Sequence, residues 1–191
     1  VAEVGSNHGG SLDAALALID AAADAGADAT KFQAGHADHV YDPAQFPEEH
    51  ASFRKYIEPV LGWLPQLTER CAARGIDFGC STFCFDALDV VDPYVKWHKV
   101  ASIEHTWGEF ITAVRAKHKP YLVSVGAADG EDDLPPEWYP GEATVLHCVT
   151  AYPADLSECH LRSHPTDVSW GPPTIIADWI INMISWGLSD H

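Results

Sequence analysis

Positive charge is what this chain has least of. Eleven lysines and arginines stand against 28 aspartates and glutamates, for a formal charge of −17. A surface of that sign repels a phosphate backbone, so nucleic acid is not an expected partner. Long apolar runs are also missing. Nothing approaches the ~18 residues of a membrane span, and the nearest candidate, 175–186, is interrupted by Asp178 and Asn182. No signal peptide is legible, because residues 1–5 already read as a buried strand. The five cysteines, at 71, 80, 84, 148 and 159, are odd in number and contain no C-x-x-C pair. That pattern favours reduced thiols in a cytoplasmic protein over a disulfide framework. A G-x-G-x-x-G turn after the first strand is absent too, since S-N-H-G-G stands there. This weakens an open doubly wound sheet as the architecture.

What is present is a globular composition: 47% hydrophobic residues and seven tryptophans in 191 residues. That length suits one substantial core and is short for two domains. The pattern alternates short apolar runs with helical periodicity. Strands are expected at 1–5, 27–33, 76–82, 94–104, 120–126 and 143–148, with a seventh around 186–190. Ser11 should cap a helix over 12–25 that faces the core through Leu12, Leu16, Ile19 and Ala23, with Gly26 just past its end. Further helices are expected at 64–74, stopped by Gly75, and at 107–117. The acidic, aromatic stretch 35–59 reads as a long loop of the kind that binds or covers a site. Its His36, His39 and His50 are expected to be solvated. Such βα repetition predicts an α/β protein, a (β/α)8 TIM barrel whose reactive side chains gather at the carboxyl ends of the strands.

In a chain this poor in cations, a lysine at a strand end is informative. Residues 94–104, Y-V-K-W-H-K-V-A-S-I-E, end in Lys99, Ser102 and Glu104. An ammonium, a hydroxyl and a carboxylate together are what an anionic substrate and a proton transfer require. Read as one strand, Ser102 and Glu104 share a face while Lys99 is out of phase, so the three converge only where the chain turns near Ala101. The second strand likewise ends in Lys31 and Gln33. The first carries Glu3 inside an otherwise apolar run, and such a carboxylate must find a partner.

Taken together, A-E-V-G-S-N-H-G-G, A-D-A-T-K-F-Q, F-G-C-S-T-F, K-V-A-S-I-E, Y-L-V-S-V-G, L-H-C-V-T-A-Y-P-A and G-L-S-D-H resemble the N-acetylneuraminate (sialic acid) synthases and their relatives that make other nonulosonic acids. The resemblance implies a metal-dependent condensation of phosphoenolpyruvate with an N-acyl hexosamine, N-acetylmannosamine or a relative, with release of phosphate. It implies a phosphoenolpyruvate site formed by Lys31, Thr82, Lys99, Ser102, Ser124 and Ser189, with Gln33 beside Lys31 at the same strand end. Glu104 would transfer the proton and Glu3 would meet the sugar or the attacking water. Thr150 and Tyr152 would line the sugar side, and His191 would ligate Mn²⁺ or Mg²⁺. A homodimer is one assembly open to such a chain. By the same resemblance, about seven strands of the barrel are expected here. The eighth strand and the C-terminal antifreeze-like domain of bacterial relatives are not expected. Two alternatives stay open: another phosphoenolpyruvate-using 3-deoxy-sugar-acid synthase, and a partial barrel that binds without turnover.

Overall fold

The structure, a computed structural model, describes residues 1–125, 143–148 and 175–176. The chain divides into two compact units, Val1–Lys99 and Val100–His191. In the first, β1 (Ala2–Gly5), β2 (Ala29–Ala34), β3 (Asp77–Thr82) and β4 (His98–Val100) run parallel and pair in chain order. Parallel neighbours need crossovers, and helices supply them. The first is α1 (Leu12–Asp24), which begins where the Ser11 hydroxyl accepts the Ala14 N–H and ends at Gly26, whose φ is 81°. Both boundaries agree with the sequence. Its buried line is Ala15, Ile19 and Ala22, flanked by the half-buried Leu12 and Leu16. The small alanines lie at the centre of the contact, so the apolar face is rotated slightly from the one expected.

Between β2 and β3 lies α4 (Val60–Arg74), closed by Gly75 in the left-handed region. Its Val60, Leu64, Leu67 and Cys71 bury against Ile19, Phe32, Phe78 and Cys80 in one core. Arg70 and Arg74 tie it to Asp20 and Asp24 of α1. The helix starts one turn earlier than expected and carries Pro65 within it. Pro65 is the sixth helical residue, past the first turn, so the helix runs through it at the cost of one i→i−4 hydrogen bond, offset by the core that its flanking Leu64 and Leu67 fill.

The stretch 35–59 is not the long loop that its composition suggests. It holds α2 (Ala37–Val40) and α3 (Pro47–Tyr56). Helix α3 has Pro at its first position, Glu48 and Glu49 in its first turn, and Arg54 and Lys55 in its last. That arrangement matches the helix dipole at both ends. Phe53 and Ile57 then bury with Ala37 against Phe83. The three histidines are paired rather than merely solvated: His36 with Glu58, His39 with Asp86, and His50 with Asp38 at 2.6 Å. The His50 hydrogen bond and the Arg54 guanidinium hold Asp38 below the usual carboxylate range.

In the second unit, β5 (Tyr121–Ser124), β6 (Ala143–His147) and β7 (Ile175–Ile176) are again parallel and in chain order. Helix α5 (Gly108–Arg115) buries Phe110, Ile111 and Val114. The strand that pairs with β6 stands at Ile175–Ile176, ahead of the 186–190 segment expected to form the seventh; that segment lies outside the described residues. No helix among the described residues is long and apolar enough to cross a membrane.

Candidate active site

Register decides which side chains meet in the first unit. Partners in adjacent parallel strands point to the same face, and the next residue along points to the other. Glu3 pairs with Lys31 and Lys31 with Gly79, while Gln33 pairs with Ser81 and Ser81 with Lys99. One face therefore carries two rows: Glu3, Lys31 and Gly79, then Gln33, Ser81 and Lys99 nearer the carboxyl ends. The opposite face carries Phe32, Phe78 and Cys80 into the core shared with α1 and α4.

Lys31 is the hub of the polar face. Its Nζ lies 2.5 Å from Glu3 Oε2 and donates to Ser81 Oγ at 3.2 Å. Lys31 and Lys99 are only 7% and 5% exposed, so both charges lie where attraction is strong and desolvation costly. Burial raises the Glu3 carboxyl above its ordinary value of 4.5, while Lys31 and then Lys99 pull it back. The partner that a carboxylate in an apolar strand requires is thus Lys31.

A bulge aims Glu3. The β1–β2 register slips between Glu3 and Gly5, and Gly5 has φ 53°. A Cβ on Gly5 would stand 3.1 Å from Glu3 Oε1. Glycine therefore supplies both the left-handed backbone and the room for the carboxylate.

Trp97, two residues before Lys99, fills the space over Gly79. A Cβ there would be 2.2 Å from the indole Cη2 and Cζ2. The indole thus lies beside Lys31 on the polar face and forms a wall of the cluster. Sequence reasoning named neither Trp97 nor Ser81 for this role. It selected Thr82, which is buried, pairs with Ala34 and lies on the other face by register; Ser81 is the hydroxyl that meets Lys31. The missed signal was alternation carried across from Lys31 and Gln33.

In the second unit, Ser102 and Glu104 do not share a strand face. Strand β4 stops at Val100 and a 3₁₀ turn occupies Glu104–Thr106, so the eleven-residue strand expected over 94–104 is corrected to three. A second 3₁₀ turn, Asp92–Tyr94, precedes it, started by Pro93. The turn at Ala101 on which convergence depended is present. Ser124 ends β5 and is buried. Thr150, Tyr152, Ser189 and His191 lie outside the described residues.

Among the described residues no three His, Cys, Asp or Glu side chains are grouped to hold a metal ion. The metal expectation therefore rests on His191 alone, and the chemistry assigned to the described residues does not pass through it. His8, in the turn after β1, is a structural residue. Its Nδ1 accepts the Gly10 N–H at 3.2 Å, and its buried ring packs on Phe32 and Trp63, which lowers its pKa.

The thiols nearest the site are inert. Cys80 is fully enclosed behind Lys31, and burial pushes its pKa far up; burial also raises Cys71, which is bonded to Thr30. A thiolate is needed for attack. Under native conditions a maleimide should therefore modify the partly exposed Cys148 well before Cys71, Cys80 or Cys84. Peptide mass spectrometry over a time course checks the order; early labelling of Cys80 would contradict the packing.

Comparison with known proteins places the chain in a family. The model of the NeuB family matches residues 18–166, more than half of the chain. The chain belongs to the NeuB family. The spore coat polysaccharide biosynthesis protein SpsE of Bacillus subtilis is 31% identical over 100% of this chain and 52% of its own length. The N,N'-diacetyllegionaminic acid synthase of Legionella pneumophila is 28% identical over 87% of this chain and 52% of its own. The crystal structure of a sialic acid synthetase from Leptospira borgpetersenii superposes with a TM-score of 0.73 at 29% identity, over 83% of this chain and 56% of that one. This chain thus spans about half the length of the NeuB-family relatives it matches. A truncated 3-deoxy-D-arabino-heptulosonate 7-phosphate synthase from Thermotoga maritima shares the fold alone, at TM-score 0.56 and 12% identity. The fold class is the α/β barrel of these synthases.

Proposed function

We propose that this NeuB-family chain carries the phosphoenolpyruvate-binding part of a nonulosonic acid synthase, which joins phosphoenolpyruvate to an N-acyl hexosamine such as N-acetylmannosamine and releases phosphate. The observation that carries the reading is the buried face on which Lys31, Ser81 and Lys99 stand together in a protein of charge −17. Two ammonium groups and a hydroxyl suit a phosphate and a carboxylate on one small molecule. In the reaction, C3 of phosphoenolpyruvate attacks the sugar aldehyde carbon and water adds at C2. The C2–O bond to phosphate then breaks. Glu104 serves as the proton-transfer group, and Glu3, whose carboxyl burial makes less acidic, meets the sugar or the attacking water. Gln33, Ser102, Ser124 and Ser189 complete the phosphoenolpyruvate side, with Thr82 meeting it at the rim as the last residue of β3, and Thr150 and Tyr152 the sugar side. His191 is proposed as a ligand for Mn²⁺ or Mg²⁺, which would polarise the aldehyde as a Lewis acid.

The test is direct. Phosphoenolpyruvate should bind the chain in calorimetry, and Lys99→Ala should weaken binding by on the order of 2 kcal/mol, roughly 30-fold, through loss of a charge-assisted contact. An unchanged dissociation constant would remove Lys99 from the site. Product formation, assayed with Mn²⁺ across N-acetylmannosamine and diacetylated hexosamines, then names the sugar; binding without any product would leave the non-catalytic alternative standing.

A further inference from the structure

Past the end of β4 three successive carbonyls are all taken up locally. Ala101 O accepts the His105 N–H at 3.2 Å, and Ile103 O accepts both the N–H and the hydroxyl of Thr106, at 3.4 and 3.0 Å. The middle carbonyl, Ser102 O, is met by the His105 imidazole, with Nδ1 at 2.5 Å. His105 is wholly buried. A ring nitrogen that meets a carbonyl must carry its proton, which in the neutral imidazole leaves Nε2 as a bare acceptor. That Nε2 is buried with no hydrogen-bond partner among the described residues. A leucine of similar size would bury as well and remove the unpartnered Nε2, at the cost of the donor to the Ser102 carbonyl. Stability alone does not account for a histidine here; the bond made by Nδ1 does.

We infer that His105 is the positioning residue of the turn 101–106, fixing the backbone from which Ser102 and Glu104 present their side chains. The inference rests on the proposed roles of those two residues. The imidazole acts through the Ser102 carbonyl: with that bond made, the peptide between Ser102 and Ile103 is held and the 3₁₀ turn at Glu104 starts from a fixed direction. A proton-transfer group displaced by about 1 Å loses on the order of 100-fold in rate, so one backbone bond here has leverage out of proportion to its strength.

His105→Leu and His105→Asn separate positioning from mere packing. Leucine keeps the volume and removes the donor; asparagine keeps an N–H that reaches the same carbonyl. His105→Leu should melt no lower than wild type, while kcat for the condensation falls on the order of 100-fold with little change in KM for phosphoenolpyruvate. His105→Asn should recover most of kcat. Equal kcat in all three proteins overturns the inference, as does a loss in His105→Leu that asparagine does not rescue. Wild-type protein without turnover would count against the proposed reaction, and the inference is then read without activity. The ¹³C-carboxyl titration of Glu104 and the amide exchange of 102–107 should shift in His105→Leu and return in His105→Asn. Identical traces in all three proteins overturn it.

Discussion

Replacing Lys31 by methionine is expected to destabilise the first unit by about 3–5 kcal/mol at neutral pH. The methionine stem fills the same volume, so the loss is electrostatic. It leaves the Glu3 carboxylate, with a side chain 9% exposed, without its ion pair at 2.5 Å, and leaves Ser81 Oγ without its donor. The pH dependence identifies the cause. Burial already raises the native Glu3 pKa above 4.5, so between 4.5 and the native value the folded protein holds a proton that the unfolded chain releases. Stability from this group is therefore greatest at low pH and declines as pH rises through the native pKa, opposite to a salt-bridged surface carboxylate. Removing Lys31 pushes the Glu3 pKa further up and widens that window. The deficit of Lys31→Met should shrink as pH falls toward 4.5, and Glu3→Gln in the same chain should recover much of it at pH 7. Urea unfolding followed by tryptophan emission at several pH values gives the numbers. A deficit that is constant with pH would mean that Lys31 is held by packing rather than by its charge.

Gly79→Ala should cost about 3 kcal/mol, at the upper end of what overpacking does. The added methyl would stand 2.2 Å from two indole carbons of Trp97 and 2.9 Å from Cε2. The ring is large and belongs to the residue just before β4, so it has no small motion that clears the contact. Displacing it disturbs the wall beside Lys31 as well as the packing. Trp97→Ala removes the obstacle, so the double variant should be less destabilised than the two single losses summed, with a coupling of roughly 1–3 kcal/mol. Simple additivity of the two changes would show that Trp97 does not occupy the space over Gly79.

The sequence by itself determined the order of elements and their chemistry. The apolar run with Glu3, the Ser11 cap, and Gly26 and Gly75 past their helices act within a few residues of chain, where local propensity governs. The lysines at strand ends were equally legible, because in a chain with 11 cations against 28 anions their placement is not diluted. The helices in 35–59 were hidden by composition: charged and aromatic residues, read as loop, became α3 once Phe53 and Ile57 had a surface to bury against.

Only the tertiary structure decided which side chains face one another. A one-residue step along a strand turns a side chain to the other face, and nothing local in S-T says which hydroxyl points at Lys31. The pairing of Gln33 with Ser81 settles it. The same holds for the bulge at Gly5 that turns Glu3 toward Lys31, for the Trp97 ring seated on a glycine of the neighbouring strand, and for the turn at Ala101 that cut an eleven-residue strand to three. Each is set by contacts between residues distant in the chain, or by a backbone that leaves the sheet to satisfy its own carbonyls. Period and propensity record what a residue prefers; register and closure, which belong to no single segment, record what it meets.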